Sequence, residues 1–407
     1  MRDRAPAEPQ DAPSPAASAD QSPARATAGN LTGLGRPDAG PGGRSETSAA
    51  PEEMPRVRLT RRGLAASILF VVSVAAFLYF VLPKLLGLRD TWNRIQHGNG
   101  WWLGVAAVLE VFSFLGYIAL FRAVFLRGHR RIGWRASYEI TMAGLAATRL
   151  FASAGAGGVA LTAWALRRSG LEPRVVACRM IAFMALLYAV YMGALVIAGL
   201  GLYLELWPGG GPFAITVVPA IFGAAVILIF LAVSLLPGDF DRLVKRWTSG
   251  GRLGRIAVHL ASAPAAAASG VRTAIDLVRS RDPQVLGAIA WWGFDIAVLW
   301  ATFHAFGGSP PTAVVVMSYF VGMVGNTLPL PGGIGGVDGG MIGAFTAFGE
   351  PVQLAVVAVL AYRGFAFWLP TLPGAVAYLQ LRRTVARWQE DPLPGTRGAE
   401  VARAGGG

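Results

Sequence analysis

The chain has very little cysteine and histidine, and this excludes two kinds of site. Among 407 residues there is one cysteine, Cys178, so neither an intrachain disulfide nor a Cys-x-x-Cys metal or redox site can form. The four histidines are scattered without the spacing of a metal-binding pair. Local signatures of phosphate-binding loops and catalytic triads are also missing. We therefore predict no metal, no cofactor and no enzymatic activity.

Charged residues are scarce as well, at 14% of the chain, whereas 54% of the residues are hydrophobic. Runs of about 18 or more residues almost without charge recur along the sequence, which is typical of transmembrane helices. The chain is therefore predicted to be an all-α polytopic integral membrane protein. The formal net charge is +13, and the basic residues responsible for it lie beside these runs. We therefore expect membrane lipids as partners, including anionic lipids at the cytoplasmic face, and no nucleic acid.

Six apolar segments are long enough to cross a bilayer. They cover residues 64–82, 101–123, 175–198, 213–236, 284–306 and 352–379. Residues 1–55 and 388–407 are rich in small residues and proline and are predicted to be disordered tails, which leaves 56–387 as the membrane domain. The basic stretch 237–283 is predicted to be a cytoplasmic loop of amphipathic helices on the membrane surface.

Basic residues between the segments set the orientation by the positive-inside rule. The loop after the second segment holds four arginines and no acid before Glu139, so this loop and the N-terminus are predicted to be cytoplasmic. The last segment ends in three arginines, which places the C-terminus on the same side. We expect a multi-pass protein of the cell membrane with both termini inside.

Two further apolar stretches fit this orientation only if each enters and leaves the membrane on one side. Residues 136–166 lie between two basic clusters and contain the sequence SAGAGG. Residues 312–349 must begin and end outside, because the segment before them ends outside and the segment after them ends inside. Both are predicted to be re-entrant helical hairpins of opposite orientation, which adds two hairpins to about six transmembrane helices. Eight plain transmembrane helices are the alternative.

The two predicted hairpins resemble each other in sequence. A shift of 178 positions aligns GAGGVALTAWALRRSGLEP, residues 155–173, with GIGGVDGGMIGAFTAFGEP, residues 333–351, and six of the 19 positions are identical. Inverted repeats with broken helices are a recurrent plan of membrane transporters. The hairpin tips are predicted at glycines and prolines, namely Gly155, Gly157, Gly158, Pro329, Pro331, Gly332, Gly333, Gly335 and Gly336.

A few charged residues fall inside the apolar segments. An ionised carboxylate at bilayer depth costs about 2.5–3.5 kcal/mol or more, so it is expected to face a polar cavity or a cation. Asp338, beside the predicted tip of the second hairpin, is the strongest candidate, although a salt bridge that only fixes helix packing would also explain such a residue. The predicted substrate-binding residues are Asp338, Asn326, Arg149, Arg179, Arg363, Asp295 and Glu110, the arginines being candidate partners of Asp338.

The pattern of Asn326, the sequence LPLPGGIGG, Asp338 and the pair Phe348 and Gly349 resembles the signature of the lysylphosphatidylglycerol synthase transmembrane family. The sequences AGAGG and ALRRSG are similar to that family's earlier glycine motif. The resemblance covers about residues 60–385 and implies a flippase-like membrane domain that moves a lipid between leaflets, in the best-known members an aminoacylated phosphatidylglycerol.

Two departures from the family pattern limit what the resemblance implies. Asp338 stands where members often carry Glu, and Ala160 stands at the matching position of the first hairpin, so a symmetric acidic pair is missing. The stretch after Leu381 is too short for the soluble aminoacyl-transfer domain, so we expect no synthase activity.

On these grounds we expect a lipid flippase-like transporter whose two opposed hairpins line a polar cavity. Asp338 would contact a cationic or hydroxyl-rich head group, and the three arginines would contact its phosphate. One alternative is a non-transporting membrane subunit or scaffold of an envelope-lipid or glycan pathway. Another is an integral enzyme that acts on lipid-linked substrates.

Overall fold

The structure is a computed structural model that describes residues 97–127, 131–150, 156–235, 252–327 and 333–390, and every regular element among them is helical. The α-helices are α1 Gly100–Phe125, α2 Trp134–Leu150, α3 Ala156–Arg168, α4 Pro173–Tyr203, α5 Phe213–Ser234, α6 Arg252–Arg279, α7 Gly287–Ala305, α8 Thr312–Met323, α9 Gly336–Ala347, α10 Val352–Arg363 and α11 Leu369–Glu390. Short 3-10 turns at Pro283–Leu286 and Val324–Thr327 adjoin α7 and α8. The all-α prediction is confirmed for this part of the chain.

Five helical stretches are long and apolar enough to cross a membrane. They are α1, α4, α5, the continuous Pro283–Ala305, and Val352–Glu390, and they coincide with five of the six predicted segments. The remaining predicted segment, residues 64–82, and the predicted N-terminal tail 1–55 lie outside the described residues. The protein is therefore a multi-pass membrane protein.

The last predicted segment, 352–379, is not one continuous α-helix. A π-helical turn at Gly364–Trp368 separates α10 from α11. The cause lies just beyond it, because Pro370 has no amide proton for the carbonyl four residues earlier and its ring crowds that carbonyl. π-helical turns are frequent at functional sites, which draws attention to the residues around this one.

The C-terminal tail begins later than predicted. Residues 388–390, expected to be disordered, form the last turn of α11 because Trp388 packs against the apolar core and its carbonyl accepts a hydrogen bond from Arg131. Residues 391–407 of the predicted tail lie outside the described residues.

The predicted amphipathic loop, 237–283, is described from residue 252 onward, and there it contains the single helix α6. The second half of α6 packs against α4, where a Cβ on Gly270 would stand 2.5 Å from Cβ of Ile181. Val271 and Ala274 are buried on this side, whereas Asp276 is exposed. This half of α6 is therefore amphipathic, and its apolar side packs against other helices of the bundle.

The buried side chains form two large apolar clusters at opposite ends of the long helices. The first includes Leu120 of α1, Phe183 of α4 and Ala288 of α7, and the second includes Ala106, Leu195 and Val298 of the same three helices. Between the two clusters, α1 and α7 approach closely, because a Cβ on Gly116 would stand 2.7 Å from Cβ of Ala290. Polar residues near the middle of these helices therefore lie between two apolar regions.

Helices α2 and α3, the first helix pair, run antiparallel and touch through glycine. A Cβ on Gly158 would stand 2.1 Å from Oγ1 of Thr148, and one on Gly144 would stand 2.8 Å from Oγ1 of Thr162. Gly157 and Gly158, predicted at a tip, lie inside α3 instead, and the missing side chain of Gly158 allows α2 to approach. Gly155 lies outside the described residues.

Helices α8 and α9, the second helix pair, are arranged in the same way. A Cβ on Gly325 would stand 2.3 Å from the carbonyl carbon of Gly336, and one on Gly340 would stand 3.0 Å from Cα of Gly322. Gly336, predicted at a tip, is the first residue of α9 and not part of a turn. Gly333 and Gly335 do adopt the positive φ values, 66° and 86°, that a turn requires. The predicted tip residues Pro329, Pro331 and Gly332 lie outside the described residues.

Candidate functional site

Asp338 and Arg363 form a buried ion pair between α9 and the end of α10. The two residues are only 2% and 9% exposed, and Nε of Arg363 donates to Oδ1 of Asp338. Arg363 also donates from Nη2 to the carbonyl of Gly333 at 3.3 Å. Of the three arginines suggested as partners of Asp338, the structure therefore brings Arg363 into contact with it.

The turn before α9 holds the carboxylate of Asp338 in place. The amide of Gly335 donates to Oδ2 of Asp338 at 2.8 Å, so a carboxylate in the first turn accepts from the residue that caps the helix. Glycine has no side chain, so only this backward half of a capping box exists. An acid at this position is also favoured by the helix dipole. Asp338 thus stabilises the start of α9 as well as pairing with Arg363.

Glu110 of α1 and Asp295 of α7 form a second group of charges together with Arg149 of α2. The side chains of Glu110 and Asp295 lie within hydrogen-bonding reach of each other, and Arg149 is close enough to interact electrostatically with both. Glu110 and Asp295 are 3% and 6% exposed, whereas Arg149 is half-buried. Within the described residues, Oε2 of Glu110 has no hydrogen-bond partner. This group is therefore less completely satisfied than the Asp338 and Arg363 pair.

Two buried tyrosines hold Asp295. Tyr319 of α8 and Tyr362 of α10 both donate their hydroxyl groups to Oδ2 of Asp295, the latter at 3.0 Å. Because Tyr362 precedes Arg363 in the chain, one turn of α10 contacts both carboxylates, Asp295 and Asp338. The two groups of charges are therefore parts of one site.

Phenylalanines surround the two guanidinium groups. The ring of Phe367 lies 5.6 Å from the guanidinium of Arg149 and 5.3 Å from that of Arg363, and Phe114 lies 5.8 Å from Arg149. Arg149 also donates to the Phe367 carbonyl at 3.4 Å. Phe367 belongs to the π-helical turn, so the interruption of the last helix places an aromatic ring between two cations.

We call these five charged residues the charge cluster. They are Glu110, Arg149, Asp295, Asp338 and Arg363. Three carboxyl groups meet two guanidinium groups, so the cluster has a formal excess of one acid. Glu110 is the eleventh of 26 residues in α1 and Asp295 the ninth of 19 in α7, so the cluster lies near mid-height of both helices.

Two predicted binding residues lie apart from the charge cluster. Arg179 of α4 donates to the carbonyls of Phe125, at 2.6 Å, and Arg127, at 3.2 Å, and so contacts the end of α1. Asn326 is exposed; its amide contacts the sulfur of Met323 and its Oδ1 lies against Gly333. It therefore touches the turn that holds Asp338, but not the ion pair itself.

Sequence reasoning missed the aromatic members of the site. Tyr319, Tyr362, Phe114 and Phe367 carry no charge, so they do not stand out in an apolar segment. One usable signal was present, since the closely spaced Pro370 and Pro373 mark a distortion of the helix that contains Phe367. In the described part of the chain, no group of three or more His, Cys, Asp or Glu side chains is arranged to hold a metal ion.

The fold and the site define a class of protein, namely a helical multi-pass membrane protein with a cluster of charges to which each of two antiparallel helix pairs contributes one residue. The model of the family described as lysylphosphatidylglycerol synthase TM region matches residues 64–374. The match covers most of the chain, and the protein belongs to this family.

Relatives of the chain include proteins named UPF0104 membrane protein from Methanothermobacter thermautotrophicus. One alignment is 32% identical over 91 residues, 22% of this chain and 26% of the relative, and another is 35% identical over 86 residues, 21% and 26%. These two alignments span about a quarter of the relative's length. A third is 22% identical over 345 residues, 80% of this chain and 98% of the relative.

Proposed function

We propose that this protein moves a phospholipid or a lipid-linked head group between the two leaflets of the cell membrane. The observation that supports this most strongly is the charge cluster, because charges at mid-height of membrane helices are costly and are expected to serve a polar pathway. Membership of the lysylphosphatidylglycerol synthase TM region family is consistent with a lipid as the cargo.

The helix pairs are the elements that we propose as re-entrant hairpins. At 1.5 Å per residue, α8 and α9, of 12 residues each, are about 18 Å long, well short of the roughly 30 Å of a hydrocarbon core. α3, of 13 residues, is about 20 Å long. α2, of 17 residues, is longer, at about 26 Å. Three short helices of the four fit hairpins better than four full crossings, which the alternative of eight plain transmembrane helices requires.

We further propose that the hairpins enter from opposite faces and that both termini are cytoplasmic. Arginines flank the first helix pair on both sides, whereas none occurs between Thr312 and Glu350 around the second. The positive-inside rule then assigns the ends of the first pair to the cytoplasm and the ends of the second to the outside. The tips of both pairs would therefore point toward the middle of the bilayer, where the charge cluster lies.

The cluster suggests how a head group would be recognised. Asp338 is already paired with Arg363, so it supports the site more than it receives a ligand. Glu110 and Asp295 lie within hydrogen-bonding reach of each other, so they share a proton and their remaining charge faces Arg149. An ammonium or hydroxyl group could donate to Oε2 of Glu110, which has no partner among the described residues. Half-buried Arg149 is the cation best placed to contact a phosphate. A zwitterionic or cationic phospholipid head group fits this arrangement, and no bond in the lipid is made or broken.

A non-transporting subunit or scaffold is the second candidate, and one observation favours it. The ion pair of Asp338 and Arg363 is satisfied within the chain, as expected if its role is to fix the packing of α9 on α10. On this reading Glu110 and Arg149 would also serve only packing, and no lipid would pass.

Leaflet exchange in vesicles separates the two candidates. The full chain would be reconstituted in liposomes that contain phosphatidylglycerol and a fluorescent phospholipid with an amine-bearing head group. A membrane-impermeant quencher then reports the fraction of label in the outer leaflet over time. We expect lipid exchange to be faster than in empty liposomes. Glu110→Gln and Arg149→Gln should each slow it at least tenfold, because each loses a charge-assisted hydrogen bond to the head group that is worth about 1.5–3 kcal/mol.

The matched control is Arg383→Gln, an exposed arginine of α11 outside the cluster. It should exchange lipid like the unaltered protein. If no lipid exchanges above the rate of empty liposomes, or if Glu110→Gln exchanges as fast as Arg383→Gln, the transport proposal is wrong. A chemically altered lipid in the same vesicles would favour an enzyme instead.

A further inference from the structure

A pocket of about 430 Å³ lies between the start of α2 and the end of α11, outside the charge cluster. Its wall includes three arginines, Arg131, Arg135 and Arg387, together with Thr384 and the ring of Trp388. Glu139, beneath this pocket, lies ten residues before Arg149 on α2, which is about 15 Å at 1.5 Å per residue. The pocket is therefore a separate site.

A buried carboxylate organises the arginines of this pocket. Glu139 is fully buried, and its Oε1 accepts from Nε of Arg135 at 3.0 Å while its Oε2 accepts from Oγ1 of Thr384 at 2.6 Å. Thr384 in turn accepts from Nη2 of Arg387 at 3.1 Å. One acid thus fixes two arginines on two different helices. Within the described residues, Arg135 and Arg387 thus bring two positive charges to one carboxylate, so these three side chains have an excess of one positive charge.

Two of the arginines keep most of their donors for another partner. Within the described residues, Arg135 donates only from Nε, to Glu139, and Arg387 only from Nη2, to Thr384. Both side chains reach the surface. A guanidinium group carries five N–H donors, and two such groups on one concave surface match the oxygens of a phosphate.

The residues around this pocket are of the types found at a membrane–water boundary. Trp134, the first residue of α2, is exposed and lies under the guanidinium of Arg122 at 4.1 Å, and Trp388 lines the pocket wall. Tryptophans beside arginines at the ends of apolar helices are typical of the interface where lipid head groups lie. A phosphate at this depth is most readily supplied by a phospholipid.

We propose that this pocket binds the phosphate group of an anionic phospholipid, held by Arg135 and Arg387 and backed by Arg131. The lipid would sit at the edge of the bundle and join the start of α2 to the end of α11. This site goes beyond the proposed lipid movement and does not depend on it, because the lipid bound here need not be the lipid that moves. Inorganic phosphate carries the same oxygens and is the other source to be tested.

Native mass spectrometry of the full chain in detergent and phosphate-free buffer tests the site. The probes are phosphatidylglycerol and, for comparison, phosphatidylcholine with the same acyl chains. We expect phosphatidylglycerol to bind more tightly, and the double variant Arg135→Gln with Arg387→Gln to bind it at least tenfold more weakly, because two charge-assisted hydrogen-bond donors are lost. The matched control, Arg382→Gln with Arg383→Gln, removes two exposed charges from α11 outside the pocket and should lose less than about twofold.

A second arm compares inorganic phosphate with chloride at equal ionic strength, with the thermal unfolding midpoint as the readout. The pocket is a phosphate site filled from solution if phosphate raises the unfolding midpoint more than chloride does, the pocket variant loses this effect, and phosphatidylglycerol does not bind. Equal loss of lipid in the pocket variant and the control, or no binding of either probe, overturns the proposal. If the double variant does not fold, Arg387→Gln alone is measured, with Arg383→Gln as its control.

Discussion

The two helix pairs share one pattern of close contacts and differ in what they do with charge. Gly144 approaches Thr162 in the first pair, and Gly322 approaches Gly340 in the second, with each residue displaced by 178 positions from its counterpart. The same shift takes the start of α2 to the start of α8. The glycine contacts and the start of the first helix of each pair are thus repeated in the second half of the chain.

The charge cluster is not repeated. At this shift Glu110, Arg149, Asp295, Asp338 and Arg363 correspond to Ala288, Thr327, Tyr117, Ala160 and Ala185. Every member of the cluster therefore occurs once, on a backbone pattern that occurs twice. This difference teaches that small residues set how the pairs pack in both halves, while the charges come from single residues that only one half carries.

The two pairs also differ in how their charges are satisfied. The second pair contributes Asp338, which is buried and bonded to Arg363. The first pair contributes Arg149, which is half-buried and, within the described residues, has only a 3.4 Å hydrogen bond to a carbonyl. On the proposed function, the second pair would be the fixed side of the site and Arg149 of the first pair would meet the ligand.

Breaking the ion pair should have the largest effect on stability. Arg363→Gln leaves Asp338 as an unpaired buried charge, so we expect a loss of about 3–5 kcal/mol in the free energy of unfolding. Arg149→Gln removes a half-buried cation that, among the described residues, makes one 3.4 Å hydrogen bond and interacts with Glu110 and Asp295 without a direct ion pair, so it should cost less, about 1–2 kcal/mol. Unfolding by sodium dodecyl sulfate in mixed micelles measures both.

The double variant Asp338→Asn with Arg363→Gln sharpens this prediction. It removes both charges, so it should recover part of the stability that Arg363→Gln alone loses. Equal losses for Arg363→Gln and Arg149→Gln would contradict the difference that we describe between the two pairs.

Loss of the tyrosine contact of the second pair should have the next largest effect on stability. Tyr319→Phe removes a hydroxyl that donates to Asp295, and we expect a loss of about 1.5–3 kcal/mol, the range for hydrogen bonds to charged groups. Its counterpart Thr141 bonds back to the carbonyl of Ser137 in its own helix at 2.8 Å, so Thr141→Val should change stability by less than about 1 kcal/mol. Similar losses in the same unfolding assay would contradict this contrast.

The glycine contacts should respond alike in both pairs. Gly158→Ala places a methyl group 2.4 Å from the carbonyl of Gly144, and Gly325→Ala places one 2.3 Å from the carbonyl carbon of Gly336. Each should cost about 1–3 kcal/mol through overpacking. Gly339→Ala is the matched control, because no atom lies within 4 Å of the added methyl group. If thermal unfolding shows no greater loss of stability for Gly158→Ala than for Gly339→Ala, the two pairs do not share the same close packing.

Arginines outside the cluster should matter least. Arg179→Gln removes two hydrogen bonds to the carbonyls at the end of α1, and we expect a loss of only about 0.3–1 kcal/mol, as for a cation at a helix C-terminus. A loss as large as that of Arg363→Gln would show that Arg179 is part of a charge network after all.

The membrane helices and the paired glycine segments were predictable from sequence because both leave local signals. Long apolar runs marked five of the spans, and the 178-residue shift marked the two glycine-rich segments. The role of those glycines was harder to predict. Gly158 suggested a turn because it is a glycine, but it lies in a helix. Its role is to avoid a collision with α2, and the sequence alone does not show where α2 lies.

The charged members of the site were also predictable, since a charge in an apolar segment stands out. Which charges meet was not, because Arg149, Arg179 and Arg363 look alike in sequence and differ only in where their helices lie. Tyr319 and Phe367 left no signal of their own, as aromatic residues are common in apolar helices. Only tertiary packing brings Tyr319 to Asp295 and Phe367 to the two arginines.

The most direct test of two opposed hairpins is the side from which their ends can be labelled. Glu172 and Glu350 follow the first and the second pair and are counterparts at the 178-residue shift. In a Cys178→Ser background, Glu172→Cys and Glu350→Cys would be treated with a membrane-impermeant thiol reagent in right-side-out and inverted vesicles. We predict that Glu350→Cys is labelled only in right-side-out vesicles and Glu172→Cys only in inverted ones. Labelling of both from the same side would contradict the account.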